Sequence, residues 1–178
     1  MTDPYAHLRG AATRLRQEFD RAFARPPETA AGGVEAVLAV RIRQNPFALR
    51  LRDIAGLFAD RPVSRLPGPF PDVLGVAGFR GAVVPVFDLG ALLGYQALTS
   101  ARWLVLTDRA SPAALAFEHF ERLELLAPDA VGGGAAGDAA ASTHAPQVVR
   151  TMDGPRPLID IASILAVIDG RVQQRRDR

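Results

Sequence analysis

From Val34 onward, apolar and polar positions alternate with a period of two, the pleat of a strand with one buried face. Leu38, Val40 and Ile42 share one face of a first strand; after Arg43-Gln44-Asn45-Pro46, Phe47, Leu49 and Leu51 alternate with Ala48, Arg50 and Arg52. This predicts a hairpin with one wet face, turning at Asn-Pro. Ile54 to Phe58 reads as a third strand, broken by Asp60-Arg61-Pro62. Val63 to Leu66 predicts a brief pairing before Pro67-Gly68-Pro69-Phe70-Pro71, whose prolines place it on a surface loop. Beyond Gly94, Trp103 to Thr107 and Ala113 to Phe117 read as another strand pair, and Glu121 to Leu126 as a mixed strand.

The centre of the pattern is Gly75 to Leu89, two apolar runs meeting at the Gly-x-x-Gly corner Gly78-Phe79-Arg80-Gly81. Gly78 and Gly81 suit a positive φ or a close backbone approach. The unbroken run Ala82 to Phe87 predicts burial on both faces. Asp88 offers a cap to a short helix, Leu89 to Leu93, which Gly94 ends. Arg80, a permanent cation among small and apolar neighbours, reads from this stretch alone as a packed stem with its guanidinium in water.

The period differs at the amino end. Asp3-Pro4 starts a helix, and Tyr5, Leu8, Ala12, Leu15, Phe19 and Phe23 recur at spacings of three and four. Such a stripe usually docks on its own domain, which is the favoured reading; the alternative is a helix that pairs with a partner. Arg25-Pro26-Pro27 ends the helix, and Glu28 to Gly33 is a linker. The carboxyl end echoes the centre: Arg156-Pro157-Leu158-Ile159-Asp160 lies 72 positions after Val84-Pro85-Val86-Phe87-Asp88, with Pro and Asp in register. Two similarly built halves follow, and many short strands with few helices point to two small barrels side by side. Gly132 to Ser142, inside a Gly/Ala-rich stretch near 131–146, has no apolar period and reads as a flexible insertion.

Charge changes the picture less than the basic pI of about 9.9 suggests. Val34 to Gly170 carries twelve Arg against fourteen acids, while Arg171 to Arg178, a basic tail, carries four Arg against one. A nucleic-acid binder concentrates basic charge on its folded domain, so that class falls to a distant alternative, a nucleic-acid-binding β-barrel. The chain has no Cys, no signal-like start and no run of about 20 apolar residues, so it reads as cytoplasmic, without membrane insertion.

Catalysis finds little support. His7, His119 and His144 are scattered, and no second His stands at metal-ligand spacing from His119. There is no nucleophile elbow, dinucleotide fingerprint or phosphate loop. Asp88 and Asp160 form an acid/base pair in principle, but their repeated position before an apolar turn favours capping. The reading is non-enzymatic, with no cofactor, metal or catalytic residue.

Gly75-Val76, a short turn, Arg80-Gly81, then Val84-Pro85-Val86 and Asp88-Leu89 resemble the signature of the CheW family, the coupling proteins of bacterial chemotaxis arrays. The resemblance extends over Val34 to Gly170, weakening toward the C-terminus. It implies a mostly β fold: two SH3-like five-stranded barrels packed side by side, with a hydrophobic junction and short helices. It implies an adaptor between a methyl-accepting chemoreceptor tip and the regulatory domain of a CheA-type histidine kinase. The receptor helix would lie between the barrels on Ile54, Leu57, Val76, Phe79, Arg80 and Gly81, and strand ends of the second barrel would meet the kinase. Gly78 and Phe79 stand where the family has Asn and Leu, and Gly56 where it has a Glu that pairs with the motif Arg. These departures keep open a divergent scaffold or decoy in another signalling complex.

Overall fold

The computed structural model describes residues 34–67, 70–98, 100–108, 112–133 and 143–176, all within the compact unit Val34–Arg178. The expected amino-terminal helix and most of the expected Gly/Ala insertion lie outside the described residues. The chain forms β1 (Glu35–Ile42), β2 (Asn45–Arg50), β3 (Ile54–Ala59), β4 (Val73–Phe79), β5 (Ala82–Asp88) and the short helix α1 (Leu89–Leu92). It continues as β6 (Trp103–Thr107), β7 (Ala114–Phe117), β8 (His119–Leu126), β9 (Val131–Gly133), β10 (Gln147–Thr151), β11 (Gly154–Ile159) and α2 (Ile161–Arg176). The molecule is mostly β, in two sheets.

The first sheet runs β8-β1-β2-β11-β10-β9 and the second β3-β6-β7-β5-β4. Each is assembled from antiparallel hairpins joined by one parallel seam, β2 with β11 and β7 with β5. The chain changes sheet twice. After β2 a 3-10 turn, Leu51–Asp53, carries it to β3 at the edge of the second sheet, and after β7 it returns to β8 at the edge of the first. Each sheet therefore takes as an edge strand the segment that follows a hairpin of the other.

The internal echo is structural. Asp88 Oδ1 accepts from Ala91 N at 3.2 Å, and Asp160 Oδ1 from Ser163 N at 3.3 Å. Ser64 bridges Val76 on β4, and Gly132 pairs Val148, the residue 72 positions beyond Val76, on β10. The sixth strand of the first sheet thus has a one-residue counterpart in the second. Gly132 and Gly133 are strand rather than loop.

Three apolar clusters fill the fold. One lies inside the second sheet, on Phe79, Val86 and Leu104, and one inside the first, on Val37, Val149 and Leu158. The largest combines both sheets and both helices, with Val40, Phe47, Phe87, Leu115, Leu89 and Ile164 among its buried members. This shared core makes the two barrels one body. Burying a side chain of this size contributes roughly 1.5–3 kcal/mol.

Several local readings are revised. The first hairpin turns at Arg43 and Gln44, both at positive φ, and Pro46 already pairs with Arg41 inside the ladder. The run Ala82 to Phe87 is not buried on both faces: Val83 is 75% exposed. The cause is topological, since β7 flanks β5 only from Val86 onward, which leaves the outer half of β5 paired with β4 alone. The tight backbone approach is at Gly75 (φ 145°), where an added Cβ would lie 2.1 Å from Ser64 O; Gly78 has open space around it. Helix α2 continues through the start of the expected basic tail, and Arg171 Nη1 reaches Asp72 Oδ2 at 2.5 Å.

Candidate functional site

The Arg80-Gly81 hairpin is a two-residue turn with φ of 48° and 85°. Gly meets that demand without strain; Arg80 accepts it at a cost and is exposed at the tip. Among the described residues, Arg80 has no ion-pair partner. Just before it, Phe79 is buried and meets Phe58 of β3 edge to face at 4.9 Å between ring centroids. The two edge strands of the second sheet thus close on each other through aromatic rings.

That contact divides the six residues implied by the family resemblance. Ile54 and Leu57, on β3, pack against the large shared core. Phe79 packs inside the second barrel, on the side of β3 that carries Phe58. Val76 is half-buried on β4, where it takes the Ser64 bridge, and only Arg80 and Gly81 are freely exposed. Gly56 has a packing reason: a Cβ there would come within 2.8 Å of the Phe58 ring.

The barrels are also joined by a polar hub that the sequence did not announce. Arg43, at the tip of the first hairpin, donates from Nη2 to both oxygens of Asp88 at 2.9 and 2.7 Å and from Nη1 to Glu118 at 2.5 Å. Its Nε and Nη2 also donate to Gln96 O. Asp88 is fully buried and accepts from Ala91 N and Leu98 N as well, so its carboxylate is spent on structure. Burial works against the charge on Arg43, but the bonds to Asp88 and Glu118 outweigh it and raise its pKa above the ordinary value. In the first barrel, buried Arg156 pairs with Glu121 at 2.6 Å and Asp153 at 3.2 Å, and Arg41 pairs with Glu121 at 2.7 Å. Burial pushes the Glu121 carboxyl up, yet Arg156 and Arg41 together hold it below its usual range.

An open cleft of about 410 Å³ lies between α2, the 3-10 turn before β3 (Arg52 and Asp53) and Asp108 after β6. Ile161, Ala162, Leu165 and Ala166 form an apolar wall, with Asp53, Asp108 and Asp169 around it. None of the six implied residues lines it, although Ile54 follows Asp53 directly. Among the described residues no group of three or more His, Asp or Glu is arranged to hold a metal ion, and no helix is long and apolar enough to cross a membrane.

The sequence profile of the CheW-like domain matches residues 36–169, which take in both sheets apart from Glu35 at the start of β1. The chain belongs to the CheW-like domain family. The crystal structure of the scaffolding protein TtCheW from Thermoanaerobacter tengcongensis is similar in fold, with a TM-score of 0.62 at 13% sequence identity, covering 71% of this chain and 88% of that one. No curated protein matches the chain by sequence. In this CheW-like domain Arg80 stands at an exposed hairpin tip, and the Phe58 ring lies beside Gly56.

Proposed function

We propose that this CheW-like protein is a non-enzymatic coupling scaffold that joins a methyl-accepting chemoreceptor tip to the regulatory domain of a CheA-type histidine kinase. The observation that carries the reading is the family match over the whole two-barrel body. The architecture suits it: one shared core makes a rigid block, and rigid blocks hold two partners at fixed spacing. Buried Asp88 serves as cap and anchor rather than as a base, in keeping with a binding role.

The receptor helix would contact the block around Ile54, Leu57, Val76, Phe79, Arg80 and Gly81. Arg80 and Gly81 present themselves directly, Ile54, Leu57 and Val76 with partial exposure, and Phe79 acts from beneath by holding the hairpin. Strand ends of the second barrel would join the matching barrel of the kinase through backbone hydrogen bonds and apolar side chains. The domain would comprise residues 34–170, preceded by the helical extension 1–33 and followed by the basic tail 171–178, and would work in the cytoplasm.

Titration of the purified protein with the regulatory domains of the source cell's CheA homologues, by calorimetry without ATP or metal, tests the reading. Binding at micromolar concentration is expected; no heat with any homologue at high micromolar concentration overturns it. A second reading, a divergent scaffold or decoy in another signalling complex, is favoured by one observation. Gly56 stands where the family pattern has an acid, the Phe58 ring lies beside it, and among the described residues Arg80 has no ion-pair partner.

A further inference from the structure

Eight of the twelve arginines whose side chains are described stand in ion pairs, and Arg61, Arg65, Arg80 and Arg150 have no ion-pair partner among the described residues. Arg61 and Arg65 are exposed and line the same recess, about 210 Å³, whose other lining residues are the aliphatic Val63, Leu74, Leu98 and Ala101, together with Ser100. Among the described residues, no carboxylate lines it. We propose that this recess is a docking site for an acidic segment of a partner protein, one that sets an aliphatic side chain against its aliphatic lining and places carboxylates against the two guanidiniums.

The segment that carries both arginines is held in place. Ser64 N donates to Val76 O at 2.8 Å and Val76 N to Ser64 O at 2.9 Å, while Asp60 N donates to Arg102 O at 2.8 Å. Gly75 lets this segment press onto β4, since any Cβ there would strike Ser64. The Arg61 guanidinium lies over both Phe58 and Phe79, 5.2 and 5.3 Å from their ring centroids. A stacked guanidinium keeps its N–H edge free for a two-pronged carboxylate contact and loses little freedom in making one. Preorganisation of this kind is what separates a docking site from a scatter of surface charge.

A peptide fits better than a nucleic acid. The apolar part of the lining is aliphatic, and the nearby rings of Phe58 and Phe79 are packed on each other under Arg61, so among the described residues that line the recess there is no aromatic face for a base to stack on. The stretch Val34 to Gly170 also carries two more acids than arginines, which works against a polyanion. The inference does not rest on the coupling reading, because its test uses neither kinase nor receptor.

Fluorescence anisotropy on the full chain compares fluorescein-labelled Glu-Glu-Leu-Glu-Glu with Gln-Gln-Leu-Gln-Gln and with a short oligothymidylate. The acidic peptide should bind about tenfold or more tighter than the amide peptide, a difference of roughly 1.4 kcal/mol. Arg65→Gln and Arg61→Gln should each weaken it about three- to tenfold, while Arg150→Gln, which removes another exposed cation without an ion-pair partner among the described residues, leaves it unchanged. Arg61→Gln also uncovers the rings, so its melting temperature is measured alongside; if it falls, Arg65→Gln alone decides. Equal binding of the two peptides overturns the proposal, as does an equal loss with Arg150→Gln. Tighter binding of oligothymidylate than of the acidic peptide, lost in Arg65→Gln, assigns the recess to nucleic acid and likewise overturns it.

Discussion

Arg43 and Asp88 meet at 2.7 Å, and the pair ties the tip of the first sheet's hairpin to the end of a strand in the second. The buried carboxylate is also the cap of α1. Removing one partner of such a pair leaves a charge without compensation. Asp88→Ala should therefore cost about 3–5 kcal/mol, read as a loss of stability in urea unfolding. A cost under about 1 kcal/mol would show that the cap and the tie are both dispensable.

Gly90 offers a finer test of the same hub. A Cβ at this position would lie 2.8 Å from the Arg43 guanidinium carbon. Gly90→Ala should destabilise the protein by about 1–3 kcal/mol, since the guanidinium is held by two acids and cannot step aside freely. In an Arg43→Ala background the obstacle is gone, and the same change should become neutral or stabilising by about 0.5–1 kcal/mol, the usual helical preference for Ala. Additive costs in this double-mutant cycle would refute the contact.

Two glycines of the central motif should behave oppositely. Gly75 combines a φ of 145° with a Cβ position 2.1 Å from Ser64 O, whereas Gly78 has nothing within 4 Å. Gly75→Ala should cost on the order of 3 kcal/mol in thermal or urea unfolding, and Gly78→Ala should be nearly neutral. The reverse order would mean that the corner, not the Ser64 bridge, sets the need for glycine.

That contrast marks the limit of what the sequence reveals. Alternation places strands, and Pro and Asp in register expose the repeat, because these features are written locally along the chain. Asp88 and Asp160 were legible as caps for this reason. Which glycine meets Ser64, or which strand joins which sheet, depends on partners far along the chain. The exchange of β3 and β8 between sheets leaves no trace in a period of two. Arg43 likewise reaches Asp88 across 45 positions, and the local hint is only that Arg and Gln occupy turn positions where Asn and Gly are preferred. Of the six implied contact residues, the string Arg80-Gly81 was legible as an exposed corner. The burial of Phe79 was not, since an apolar residue beside a turn reads equally as surface anchor or core.

Acid should act on the first barrel through Glu121. Arg156 and Arg41 hold its pKa below the unfolded value. A depressed carboxylate contributes stability that is full above its unfolded pKa of about 4.3 and is lost as pH falls through the folded value. Urea midpoints should therefore decline below about pH 5, and Glu121→Gln should lower stability at pH 7 while flattening that decline. A variant whose acid profile matches the parent's would place the acid sensitivity elsewhere.

Arg80 is the residue on which the coupling reading can be pressed hardest. It stands at a strained φ of 48° on a two-residue turn, exposed, and without an acid partner among the described residues. A free guanidinium at a hairpin tip is available to a carboxylate on a receptor helix, a contact typically worth about 1.5–3 kcal/mol. Arg80→Ala should then weaken receptor binding roughly ten- to a hundredfold, with kinase binding nearly unchanged. Arg80→Lys should recover only part of the loss, because an ammonium cannot make the two-pronged contact. The packing at Gly56 shapes the complementary test. Gly56→Glu would drive the Phe58 ring from its seat against Phe79 as well as supply an acid, so Gly56→Ala must accompany it as the steric control. If Arg80 works unpaired, Gly56→Glu should weaken receptor binding beyond Gly56→Ala. Tighter binding with Glu than with Ala would show instead that Arg80 needs an acid at position 56 to be aimed, and that this chain lacks a part its relatives use.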